Sequence, residues 1–174
     1  MILNYIETYK TDTTNGVGIR VVLWTAGCSH HCKECHNPQT WNPEAGQLFD
    51  ETAEKELFQA LSKPFIRGIT FSGGDPLYSG NISEVLRLIK KIRKELPNKD
   101  IWLYTGFVYE DIFNSNEPDM LIRQEIVNSI DILIDGPFII DKKDLRLDWR
   151  GSSNQRIIDI PKTIKNKEIT LWEK

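Results

Sequence analysis

Apolar positions along the chain fall into two patterns, short continuous runs and longer stretches with helical spacing. Ile19, Val21, Val22, Leu23 and Trp24 make residues 18–25 a β-branched and aromatic run, which predicts a buried first strand. Ala53, Leu57, Phe58 and Leu61 recur at helical spacing behind the capping candidates Asp50 and Thr52, predicting a helix over 50–62 that Pro64 stops. Residues 66–72 form a second strand, which delivers the chain into the turn Gly73-Gly74-Asp75-Pro76.

Residues 83–96 give the clearest helix, with Val85, Leu88, Ile89 and Ile92 along one face and Pro97 as terminator. A strand follows over 101–105, then a weaker helical pattern at 120–128 and a strand over 130–134 broken by Asp135-Gly136-Pro137. Short strands are expected at 157–160 and 169–172.

Strands alternating with helices predict parallel pairing through right-handed crossovers. The expected fold class is α/β, a mostly parallel sheet or incomplete (β/α) barrel formed by one domain over residues 1–174. That length is short for a complete eightfold barrel. Ligands in such folds collect at the C-terminal ends of the strands, so the segment after the first strand, the Gly-Gly turn and Asp135-Gly136-Pro137 should share one edge.

Charge excludes more than it suggests. A formal net charge of -3 gives no electrostatic reason to expect direct nucleic-acid binding. Lys90, Lys91, Arg93 and Lys94 read as a solvated helix face. The beginning of the chain lacks the basic start and apolar run of a secretory signal, and no stretch reaches membrane-spanning length, so a cytoplasmic protein is expected.

The chemistry lies in the cysteines. All three, Cys28, Cys32 and Cys35, fall within one short segment after the first strand, which no conventional disulfide framework accounts for. The spacing C-x3-C-x2-C on a loop lets three thiolates wrap one cubane, and since clusters normally take four cysteines, one iron of a 4Fe-4S cluster is left open. Two alternatives stay open: a zinc site completed by His30, His31 or His36, although zinc ligands usually come as two separated pairs, and a small electron-transfer module.

This spacing after a first strand resembles the signature of the radical S-adenosylmethionine superfamily. The resemblance implies that Cys28, Cys32 and Cys35 hold the cluster and that its open iron binds the amine and carboxylate of the cofactor's methionine part. Gly73-Gly74-Asp75 resembles the superfamily's Gly-Gly-Glu motif, which implies that Gly73, Gly74 and Asp75 contact that amino group. The residue before the third cysteine is commonly an aromatic that contacts adenine. Here it is Glu34, so the contact falls to backbone around Glu34 and Cys35 or to His36.

Further segments resemble the activating proteins of anaerobic ribonucleotide reductase, among them Trp24 to Cys28, Cys35-His36-Asn37, Ser72 to Leu77, Trp102 to Gly106, Asp131 to Phe138 and Trp149 to Arg156. The Asp75 that departs from the superfamily agrees with this narrower family. The resemblance implies a glycyl-radical-activating oxidoreductase. A low-potential donor such as reduced flavodoxin feeds the cluster, S-adenosylmethionine is cleaved to methionine and a 5′-deoxyadenosyl radical, and a glycine of the reductase loses a hydrogen atom. Tyr104 is expected to line the cofactor pocket, no side chain is needed as acid or base, and the wide mouth of an incomplete barrel should admit the partner's peptide. An activase for another glycyl-radical enzyme, such as pyruvate formate-lyase, is the nearest rival, and Gly151 to Gln155 argues against it.

Overall fold

Four apolar runs become the parallel centre of a single sheet. The computed structural model describes residues 3–173. In chain order its elements are β1 (Asn4–Asp12), β2 (Arg20–Thr25), β3 (Gln47–Leu48), α1 (Glu51–Leu61), β4 (Gly68–Gly73), α2 (Ile82–Glu95), β5 (Asp100–Tyr104), α3 (Tyr109–Phe113), α4 (Pro118–Asn128), β6 (Ile132–Asp135), β7 (Arg156–Asp159) and α5 (Ile160–Asn166). The sheet order is β3-β1-β2-β4-β5-β6-β7. Strands β2, β4, β5 and β6 pair in parallel, with Val22 opposite Thr70, Thr70 opposite Trp102 and Trp102 opposite Ile132. Antiparallel strands flank this core on both sides.

Strand alternation divides the sheet into two unlike faces. Val21, Leu23, Ile69, Phe71, Ile101, Leu103 and Leu133 join the main apolar core with Leu57 and Leu61 of α1, Val85, Leu88, Ile89 and Ile92 of α2, and Ile126 and Val127 of α4. On the other face Trp102, Ile132, Ile134 and Ile157 form a smaller cluster, against which Trp149 and Trp172 pack. Trp24, Ser72 and Tyr104 lie on that face nearer the strand ends, where it opens into a cavity. One face therefore carries stability and the other carries the site.

The expected helices and parallel strands form as the periodicity predicts, with Asp50 accepting a bond from the Ala53 N–H at the start of α1. Strand β1 was outside the expectation: its polar residues Asn4, Glu7, Thr8 and Lys10 suppress the apolar signal, and it gains its place by pairing with β2. Residues 157–160 supply β7, but its register with β6 is antiparallel, and the chain turns at once into α5. The expected strand at 169–172 reduces to a single bridge between Ile158 and Leu171. Among the described residues no helix is long and apolar enough to cross a membrane.

Candidate functional site

The C-terminal ends of β2, β4, β5 and β6 open onto a cavity of about 460 Å³. Cys28, Cys32, Cys35 and His36 line it from the loop after β2, Gly73 and Gly74 from the end of β4 and the turn it enters, Tyr104 and Thr105 from the end of β5 and the residue after it, and Gly136 and Phe138 from the segment after β6. The three segments expected to share an edge do so.

The cysteine loop is held at both ends by backbone bonds. Gly27 N–H donates to Thr40 O at 2.8 Å and Cys28 N–H to Trp41 O at 3.1 Å. Within it, Cys35 N–H donates to Cys32 O, and Asn37 N–H reaches Cys35 Sγ at 3.4 Å. His31 and Glu34 take φ of 45° and 55°, left-handed turns that coil the loop between the cysteines, and all three cysteines line one cavity. Burial pushes the Cys28 thiol up to about 11, with the Asp75 carboxylate adding to the rise, and burial also raises Cys32. Thiols so placed stay protonated until a cation shares the site, because metal binding and thiol ionisation are linked.

The Gly-Gly turn is dictated by close packing. A Cβ on Gly73, whose φ is 109°, would lie 2.4 Å from Thr25 O, and one on Gly74 would lie 2.4 Å from Gly27 O and 2.8 Å from Thr40 O. The backbone of both residues thus meets the root of the cysteine loop while lining the cavity.

Asp75, read from the sequence as a contact to the cofactor's amino group, is 1% exposed and does not line the cavity. Its Oδ1 accepts from Leu77 N–H at 2.7 Å and its Oδ2 from Gly106 N–H at 3.0 Å, while the Thr105 hydroxyl lies within 3.0 Å of both oxygens. His30 Nε2, from the cysteine loop, stands 2.7 Å from Oδ2. Asn81 completes the knot, donating to Ala26 O at 2.8 Å and Asp75 O at 3.0 Å. The carboxylate therefore ties the cysteine loop, the Gly-Gly turn and the end of β5 together.

Tyr104 lines the cavity with a phenol that burial keeps well above its ordinary value, and so neutral. His36 lines the cavity with its ring 5.0 Å from that of Phe138, whereas Glu34 is exposed and points no lining atom into it. Thr105 and Gly106 line the cavity beside Tyr104, and the structure adds lining residues that spacing did not reveal: His30 and Trp24, and Trp149, Arg150, Gly151 and Gln155 of the late loop. Only the resemblance of residues 149–156 signalled that last group, since by composition it is an ordinary polar loop.

The donor set suits a thiolate-bound cluster. Three cysteines face one cavity, and two polar atoms of its lining residues, Trp24 Nε1 and Arg150 Nε, are buried without a partner among the described residues. No three His, Cys, Asp or Glu side chains among the described residues close round a single ion. A cubane does not require that, since each thiolate binds a different corner iron.

Comparison with known proteins fits this geometry. Residues 14–158 match a family described as a 4Fe-4S single cluster domain. An anaerobic ribonucleoside-triphosphate reductase-activating protein of Enterobacteria phage T4 is 43% identical over 155 residues, covering 89% of this chain and 93% of its own length. The protein of the same name from Pasteurella multocida is 42% identical over 157 residues, 89% of this chain and 96% of its own. The one from Escherichia coli K12 is 41% identical over 155 residues, 88% and 96%.

Proposed function

The chain belongs to the family of anaerobic ribonucleoside-triphosphate reductase-activating proteins, and from that premise we propose that it installs a glycyl radical on an anaerobic ribonucleoside-triphosphate reductase by radical S-adenosylmethionine chemistry. Cys28, Cys32 and Cys35 would hold a 4Fe-4S cluster with one open iron. When bound and reduced, by flavodoxin or a similar donor, such a cluster supplies the electron that breaks the sulfonium C5′–S bond of S-adenosylmethionine, giving methionine and a 5′-deoxyadenosyl radical. Transfer of a hydrogen atom from a glycine Cα of the reductase then gives 5′-deoxyadenosine and the glycyl radical.

The observation that carries this reading is the meeting of all three cysteines with Gly73 and Gly74 in one cavity at the strand ends. The protein's own part is positional. Gly73 and Gly74 bring backbone polar groups to the cofactor's amino group, with Asp75 holding that turn from behind. Tyr104, His36 and Cys35 form the remaining walls. The cavity sits on the sheet face opposite the helices, which is the inner face of an incomplete barrel and leaves a mouth for the partner's peptide. A single domain working in the cytoplasm, with no direct contact to nucleic acid or membrane, completes the proposal.

The test is anaerobic reconstitution with iron and sulfide, reduction, addition of S-adenosylmethionine and assay for 5′-deoxyadenosine, with Cys32→Ala alongside. Deoxyadenosine from the wild type alone supports the proposal. A stable cluster that cleaves nothing, or zinc in place of iron, removes it.

A further inference from the structure

The loop over residues 149–156 is almost wholly consumed in holding itself together. Gln155 Oε1 accepts from Gly151 N–H at 2.9 Å and Ser152 N–H at 3.2 Å, and its Nε2 donates to Gly136 O at 3.0 Å. Asn154 Nδ2 donates to Pro137 O at 2.8 Å, the Ser152 hydroxyl accepts from Ile139 N–H, and Arg156 pairs with Asp135 and Glu110. Trp149 packs between Trp102 and Trp172. These bonds staple the loop to the segment after β6 and fix one wall of the cavity.

One charged side chain of the loop has donors to spare. Arg150 lines the cavity as its one lysine or arginine among the described residues. A guanidinium carries five N–H donors, of which Nη1 donates to Gln155 O at 3.0 Å, while Nε is buried and unpartnered. No carboxylate of the described residues lies within ion-pair distance of it; Asp144, the acidic residue lining the same cavity, is held by Arg146. A half-buried guanidinium without a counter-ion is costly and geometrically matched to a carboxylate, and its anchor Gln155 is itself held by three bonds.

We infer that Arg150 is the carboxylate-recognition residue of the cavity, pairing with the carboxylate of the methionine part of S-adenosylmethionine. The inference rests on the function proposed above and assigns a residue to one end of that ligand. It gives the loop a purpose: Ser152, Asn154, Gln155 and Arg156 hold the wall, and Arg150 is what the wall presents.

The experiment is a two-by-two cycle of equilibrium binding to the anaerobically reconstituted protein. Wild type and Arg150→Gln are each titrated with S-adenosylmethionine and with its decarboxylated analogue, with iron and sulfide content measured for both proteins. Charge-assisted pairing predicts that Arg150→Gln weakens S-adenosylmethionine roughly ten- to hundredfold while the two proteins bind the analogue alike. Arg150→Lys should recover part of the loss. If Arg150→Gln weakens both ligands equally, or neither, the assignment is wrong even though the wild type binds. If Arg150→Gln binds S-adenosylmethionine normally but loses affinity for the reductase, the arginine serves a partner carboxylate and the assignment again falls. Wild type with full cluster and no affinity for S-adenosylmethionine overturns this inference together with the reading beneath it.

Discussion

His30 Nε2 lies 2.7 Å from Asp75 Oδ2, joining the middle of the cysteine loop to the turn after β4. The same carboxylate accepts from Leu77 and Gly106 backbone N–H groups and from the Thr105 hydroxyl. Removing it strands several buried donors at once. Asp75→Ala should therefore cost the cluster-free protein roughly 3–5 kcal/mol in urea unfolding, since each unsatisfied buried group costs about 1–3 kcal/mol. Asp75→Asn, which keeps the shape but offers one accepting oxygen, should fall between. An Asp75→Ala protein as stable as wild type would show that the knot contributes nothing.

Two glycines on the same edge should respond differently to alanine. At Gly74 the new Cβ meets Gly27 O and Thr40 O, backbone atoms that cannot swing aside. At Gly136, with φ of 95°, the nearest atom is 3.7 Å away, so only backbone strain of about 1–2 kcal/mol is incurred. Gly74→Ala should yield little folded protein, and Gly136→Ala should fold with a modestly lowered Tm. Equal stabilities would contradict the close approach of turn and loop.

Much of this was legible beforehand, for identifiable reasons. The central strands and α1, α2 and α4 follow from apolar runs, helical spacing and the stops at Pro64 and Pro97. Strand β1 was hidden because its residues are mostly polar and its stability comes from β2, a tertiary effect that local pattern does not carry. Helix α5 did have a signal, Asp159 capping the Lys162 N–H with Pro161 in the first turn, but seven residues give little periodicity. The cysteines were found by spacing alone. Sequence gives the turn at Asp75 but not the direction of its side chain, and only the resemblance of residues 149–156 points to Arg150, whose spare donors depend on the bonds of its neighbours.

Acid should loosen the contact between α1 and α2. Burial alone would raise the Glu54 carboxyl, but hydrogen bonds from Arg87 and Lys91 outweigh it and hold it below its ordinary value. A depressed carboxyl stabilises fully above its unfolded value of 4.5 and loses that contribution as pH falls through the lower folded value. Because Arg87 is substantially exposed, the contribution is about 1 kcal/mol. The stability difference between wild type and Glu54→Gln should be flat near neutral pH and shrink below 4.5. A difference that grows on acidification would reverse the assignment.

The proposed function has the cysteine cavity make a radical and pass it on. It is tested most directly by EPR of an anaerobic ribonucleoside-triphosphate reductase incubated without oxygen with the reconstituted, reduced protein and S-adenosylmethionine. A glycyl-radical doublet is expected on the reductase, formed with matching 5′-deoxyadenosine, and neither product with Cys35→Ser. A fully loaded 4Fe-4S protein that leaves the reductase without a radical, or a Cys35→Ser protein that still generates one, would contradict it.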